Sequence, residues 1–237
     1  MLTQTPIRVD AIRSSVSSVR APSVAMRGLD GTSKHQWAKL SMHLMGATRS
    51  YLRNTEVFGE NEPADYLYKI VGGCVRTYKI LNDGRRQIGG FYLPGDIFGL
   101  EFEDEHTVSA ETLTDTQVMV IKRGTLNVLA RHDPVIAQEL FTLTGRELQR
   151  MQHRLLLLIK SARERVASFL LEMAERVPAG DSIELPMIRQ DIADYLGLTI
   201  ETVSRTLSSL ERCAVIEVPN TRQIVLRNRP ALQRMIS

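Results

Sequence analysis

The residues best suited to chemistry lie between Arg189 and Arg212, RQDIADYLGLTIETVSRTLSSLER. Arg205 carries a planar fork of donors that fits O6 and N7 of guanine. Glu201 offers acceptors to the N4 amine of cytosine, and the Ser204 hydroxyl suits either a base or a methyl. These three stand at i, i+3 and i+4, so a helix places them on one face. The same spacing lets Glu201 pair with Arg205 and hold its guanidinium in position. Such a face is built to read base edges in a major groove, whereas Arg189, Thr199 and Thr202 fit contacts to backbone phosphates.

That face needs two helices to present it. Ile192, Ala193 and Leu196 share one side of a first segment. Gly197 ends it, because glycine takes positive φ without steric cost. Thr199 suits the N-cap of a second segment, with Glu201 in the favoured first turn and Val203, Leu207 and Leu210 inward. The pattern is a helix-turn-helix. Beyond it, Val215–Val218 and Gln223–Leu226 read as strands around a turn at residues 219–222. A hairpin there makes a winged helix and puts Arg222 at the wing tip, where it can meet phosphate.

At 237 residues the chain has room for two modest domains. Its net charge of +3 permits a nucleic-acid partner without requiring one. Two distant cysteines, Cys74 and Cys213, can build neither a disulfide framework nor a Cys-x-x-Cys metal site, which fits a reducing cytoplasm. No run of about 18 apolar residues is present, so no membrane span is expected, and no secretory signal is expected either.

Residues 1–30 are rich in Ser, Arg, Thr and Pro and read as a flexible arm. Residues 34–46 suggest a short helix. From Thr48 to Lys122, short β-rich runs alternate with turns at Gly72-Gly73, Asn82-Asp83-Gly84 and Pro94-Gly95-Asp96. That texture predicts a small antiparallel barrel or roll. From Val135 to Lys160 the period becomes helical. Ile136, Leu140, Leu143, Leu148, Met151, Leu155, Leu158 and Ala162 form a narrow seam with one slip near Glu147, as in a coiled coil. This predicts a dimerisation helix flanked by Arg146, Arg150, Arg154 and Lys160. The expected fold class is α+β: an N-terminal antiparallel β-roll of cupin-like jelly-roll type, a long dimerisation helix and a C-terminal winged helix-turn-helix. The expected boundaries are 1–30 for the arm, 31–132 for the roll, 133–161 for the dimer helix and 162–237 for the DNA-binding domain.

This order of elements, with YLYKIVGGCVRTYKILNDGRRQIGGFYLPGDIFGLE in the roll and RQDIADYLGLTIETVSR in the reader, resembles the CRP/FNR family of bacterial transcription regulators. Within it the wording is most similar to the FixK branch, which governs microoxic and nitrogen-fixation genes. The resemblance implies that Glu201, Ser204 and Arg205 lie at base edges. Ile200 stands where nucleotide-responsive members have arginine, and an apolar side chain there suits a thymine methyl. The implied target is a TTGAT-N4-ATCAA palindrome read by a homodimer. The acidic loop Glu101–Glu105 becomes a candidate contact for RNA polymerase.

The resemblance also bears on ligands. Cyclic-nucleotide binders hold the phosphate with a Gly-Glu-Leu and an Arg-Ser/Thr pair. Here those positions read Gly99-Leu100-Glu101 and Val108-Ser109, so the acidic residue is displaced and the arginine is missing. A buried phosphate without a cation is costly. FNR-type iron–sulfur clusters need four thiolates, and the aligned roll position looks like Met119. No cofactor is therefore expected. Haem would need an axial ligand such as His106, His132 or His153, which read as solvated histidines on a charged surface.

Cys213, just past the recognition helix, reads as a small, partly buried hydrophobe; the sharper reading is a redox residue near DNA. Cys74 reads as structural. No nucleophile–base constellation or phosphate-cradling loop is present, which argues against an enzyme. The expected protein is an activator set by abundance or modification, with a haem- or other effector-gated regulator as the alternative.

Overall fold

Alternating apolar residues punctuated by glycine turns fold the first half of the described chain into two packed sheets. The computed structural model describes residues 46–177 and 181–236, all within one compact unit, Lys39–Ser237. The arm expected at residues 1–30 and nearly all of the helix expected over 34–46 lie outside the described residues.

The strands are β1 (Ala47–Tyr51), β2 (Glu56–Phe58), β3 (Tyr66–Gly72), β4 (Val75–Ile80), β5 (Arg86–Tyr92), β6 (Ile97–Phe98), β7 (Ser109–Thr112) and β8 (Thr116–Lys122). One sheet runs β1-β8-β3-β6 and the other β2-β7-β4-β5, with every pairing antiparallel. The β4–β5 hairpin closes at Asn82-Asp83-Gly84, where Gly84 has φ 80° and a side chain would be strained. Phe58, Tyr68, Tyr92 and Phe98 meet between the sheets with ring centroids 5.1–6.0 Å apart. The turn at Pro94-Gly95-Asp96 is a structural anchor. Asp96 accepts the Leu93 N–H at 2.8 Å, Arg150 at 2.5 Å and Arg176 at 2.5 Å.

Helices follow: α1 (Arg123–His132), α2 (Pro134–Leu157), α3 (Ala162–Arg176), α4 (Arg189–Leu196), α5 (Ile200–Arg212) and α6 (Arg229–Ile236). Asp133 caps α2 by accepting the Val135 N–H, with Pro134 at the first turn where its missing donor costs nothing. Helix α2 ends at Leu157, three residues before the end of the helical period read from sequence. Ser161 and Glu164 form a reciprocal capping box that starts α3. Strands β9 (Ser182–Glu184), β10 (Ile216–Glu217) and β11 (Gln223–Leu226) make the wing sheet, ordered β10-β11-β9. The architecture is the expected α+β roll, long helix and winged helix. No helix among the described residues is long and apolar enough to cross a membrane.

Candidate nucleic-acid interface

Helices α4 and α5 cross where the sequence is smallest. Ala193 is fully buried and Gly197, at φ 63°, turns the chain between them. Val203, Leu207 and Leu210 are buried beneath α5. Thr199 caps α5 by accepting the Thr202 N–H at 3.2 Å, and the two hydroxyls lie 3.0 Å apart. The opposite face turns outward: Ile200, Glu201 and Arg205 are exposed and Ser204 is half-buried. Thus the four residues expected at base edges occupy one open face. A hydrogen bond from its own backbone, then the Thr199 hydroxyl, hold the Glu201 carboxyl below its usual range, and Arg205's charge adds to this. The ion pair expected between Glu201 and Arg205 is not closed among the described contacts; Arg205 acts on Glu201 at a distance and its guanidinium stays available.

Arg189 opens α4 half-buried, and its buried Nε donor has no hydrogen-bond partner among the described residues. At the wing, Asn220 Oδ1 accepts the N–H groups of Arg222 at 2.9 Å and Gln223 at 2.8 Å. This Asx turn shapes the tip, leaving Arg222 half-exposed.

On α2 and at its C-cap, Phe141, Leu148, Met151, Leu155 and Leu158 lie exposed, whereas Leu140 and Leu143 are half-buried. Ile136 turns inward. The seam is thus covered by its own chain towards the N-terminal end of α2 and open beyond it. Two of the flanking arginines are tied back to the roll: Arg150 reaches Asp96, and Arg154 donates to the carbonyls of Ile88 and Gly89.

Sequence reading missed a third group. Arg76 of β4 and Arg86 of β5 reach from the roll to α4. Arg76 Nη1 donates to Asp191 Oδ1 at 2.6 Å, and Arg86 Nη2 to the same oxygen at 2.7 Å. Arg86 Nε also donates to Asp194 Oδ2 at 2.7 Å, and Gln87 to the Asp194 carbonyl at 2.7 Å. The Arg154 guanidinium sits 5.1 Å over the Tyr195 ring. Charged residues on strands normally read as a solvated face, and partners more than a hundred positions away leave no local signal.

Two histidine and cysteine expectations are corrected. His106 is buried, not solvated: it stacks on Phe58 at 3.5 Å, and its Nδ1 stands 3.6 Å from Glu101. Cys213 is exposed rather than partly buried: it caps the C-terminal end of α5, and Ala214, at φ 55°, turns the chain back towards the buried Val215. Cys74 is buried, and burial pushes its thiol up to about 12.

Within the roll, the rings of Phe58, Tyr68, Tyr92 and Phe98 pack together between the sheets. The Ser109 hydroxyl accepts the Glu60 N–H at 3.0 Å, and Glu101 is taken up by Thr107. The nearby Arg123 donates to the carbonyls of Ala64 and Glu103, at 2.7 and 2.8 Å.

A jelly roll, a long helix with an open apolar row and a winged helix with an open polar reading face define a DNA-binding regulator. The chain matches the cyclic nucleotide-binding domain family over residues 48–133 and the Crp-like helix-turn-helix domain family over residues 164–235. It is 46% identical over 199 residues to the nitrogen fixation regulation protein FixK of Azorhizobium caulinodans, covering 81% of this chain and 80% of that one. To the protein of the same name from Rhizobium meliloti it is 38% identical, covering 78% and 85%. The solved structure of FixK2 from Bradyrhizobium japonicum is similar at a TM-score of 0.78 and 48% identity, over 81% of this chain and 98% of that one. The chain belongs to the FixK branch of the CRP/FNR family of transcription regulators.

Proposed function

We propose that this regulator binds a TTGAT-N4-ATCAA palindrome as a homodimer in the cytoplasm and activates microoxic and nitrogen-fixation genes. The observation that carries this is the outward row of Ile200, Glu201, Ser204 and Arg205 on α5. Ile200 meets a thymine methyl, Arg205 a guanine, Glu201 a cytosine amine and Ser204 a base edge or methyl, each contributing about 1–3 kcal/mol of discrimination. Arg189, Thr199, Thr202 and Arg222 hold phosphates and set the register. The open apolar row Leu148, Met151, Leu155 and Leu158, continued by Leu140 and Leu143, pairs with a second copy. The division into a roll at 31–132, a dimer helix at 133–161 and a reader at 162–237 follows these roles.

The regulator works without cyclic AMP and without an iron–sulfur cluster. Its roll packs its own aromatic side chains between the sheets and carries Val108 where nucleotide binders have the phosphate-pairing arginine. The exposed acidic loop around Phe102 is the surface offered to RNA polymerase. Cys213, exposed beside the reading helix, is the redox residue, because a sulfinate or sulfonate there repels phosphate.

A gel shift on a TTGAT-N4-ATCAA duplex, with no effector added, tests this reading. Binding well above that to random duplex is expected. Binding only after cyclic AMP is added would overturn the effector-independent part. The same shift after peroxide is expected to weaken in the wild type and to hold in Cys213→Ser. Equal loss in both would remove Cys213 from the reading.

A further inference from the structure

The charged contacts that strands β4 and β5 make with the reader converge on one short helix that itself reads no base. Asp191 and Asp194 stand on α4 one turn apart. The Asp191 side chain is 2% exposed and that of Arg76 11%. Asp191 Oδ2 also takes the Ile188 N–H at 3.2 Å, so the same carboxylate starts α4 and anchors it to the roll. Arg76 is itself held from behind by Glu111 at 2.9 Å. Through Arg154, the grip extends to α2, the helix carrying the open apolar row. None of these bonds covers the outward face of α5, where Glu201 and Arg205 stay exposed. The grip leaves reading free and fixes only where the reader stands.

Buried ion pairs of this kind contribute little net stability compared with apolar replacements, and their best-attested role is to select one arrangement. Planar guanidinium forks add direction, because their donors lie at fixed angles. Arg86 uses two nitrogens on two carboxylates, so it resists both sliding and rotation of α4.

From this geometry we infer that Arg76 and Arg86 are positioning residues for DNA recognition, and that they set the half-site spacing the dimer accepts. The inference rests on the palindrome reading above. In a two-fold dimer joined along α2, each reader's distance from the axis is fixed by its docking on its own roll and its own α2. The two recognition helices of a helix-turn-helix dimer must stand one DNA turn apart, about 34–36 Å. One base pair added to the spacer moves a half-site by about 3.4 Å and rotates it by roughly a tenth of a turn. A reader free to swivel on its linker follows that change. A reader held at Asp191 and Asp194 does not.

The test compares affinities for TTGAT-N3-ATCAA, TTGAT-N4-ATCAA and TTGAT-N5-ATCAA duplexes by fluorescence anisotropy. The readout is the ratio of the four-base-pair spacer to the other two. A loss of folded protein weakens all three equally and leaves the ratio unchanged, so a merely structural role would not move it. The wild type is expected to prefer the four-base-pair spacer clearly. Arg76→Gln and Arg86→Gln are each expected to cut that preference by about five- to tenfold. Arg86→Lys, which keeps the charge, should retain more of the preference than Arg86→Gln. Gln87→Leu removes the bond to the Asp194 carbonyl, with a longer one to the Ile88 carbonyl inside the roll; about a twofold loss is expected, which keeps the test alive if the arginine variants fail to fold. Unchanged spacer ratios in the folded variants would overturn the inference while leaving the function standing. A wild type that binds the palindrome with no spacer preference would do the same. A wild type that binds the palindrome no better than random DNA would overturn the function itself, and the spacing inference with it.

Discussion

Arg205 and Arg189 are both arginines near DNA, and their surroundings assign them different work. Arg205 stands exposed on the outward face of α5. Arg189 opens α4 with an unpaired buried Nε and lies off that face. Arg205→Ala should therefore remove a bidentate base contact and lower the ratio of palindrome to random-DNA affinity by about tenfold, the size of one good contact. Arg189→Ala should weaken both affinities by a similar factor, because phosphates carry no sequence. Anisotropy titrations at one fixed salt concentration measure both; an unchanged ratio in Arg205→Ala would remove α5 from the groove. Residue types alone carried this far, since an Arg, a Glu and a Ser on one helical face announce their chemistry. They did not reveal Arg76 and Arg86, whose carboxylate partners lie over a hundred positions on. They also misplaced His106, because a histidine beside the acidic run reads as solvated until the Phe58 ring is found against it.

Among the elements, α2 shows most clearly what an amphipathic period leaves unsettled. A seam of apolar residues every three or four positions predicts that something covers it, yet not what. The chain covers Ile136 with its own residues and leaves Leu155 65% exposed. Leu155→Glu puts a charge into the open part of the row while leaving the packed part intact. The variant should fold and sediment as a monomer at concentrations where the wild type is a dimer, and it should bind a single half-site more weakly than the wild type binds the palindrome. Light scattering that still returned twice the monomer mass would place the interface elsewhere. Strands β3, β4 and β5 were legible because period-two alternation and glycine turns bound them closely, and β11 because the turn at residues 219–222 precedes it. Helix α1 was not, since in RGTLNVLARH only Leu126 is buried and no stripe forms. Helix α6 likewise buries only Leu232. Short elements held by tertiary contacts leave little period to read.

The whole molecule is tied together more tightly than a bead-and-linker regulator would be. Cys74, Ile88, Phe91, Leu93 and Leu113 of the roll lie in one continuous core with Phe169, Met173, Leu196 and Leu207 of the C-terminal half. At its centre Phe91 packs edge-on against Phe169 at 6.2 Å and tilted against Tyr195 at 5.2 Å. The roll's other face has a separate aromatic core, so the roll contributes to two cores and the reader to one. Reader and roll therefore cannot separate without exposing apolar surface on both; packing holds them together, and the directional bonds at Asp191 and Asp194 set the angle at which they meet. It follows that the roll and reader should unfold as one cooperative unit. Calorimetry should show a single transition. Phe91→Ala should cost about 3–5 kcal/mol through the cavity it leaves, which for a domain pair of this size lowers the midpoint by roughly 10 °C. Both the far-ultraviolet signal of the helices and the near-ultraviolet signal of the roll tyrosines should shift together. Two wild-type transitions, with Phe91→Ala moving only one, would show that the shared core does not couple them. A fixed spacing between half-sites would then rest on the charged clasp at Asp191 and Asp194 alone.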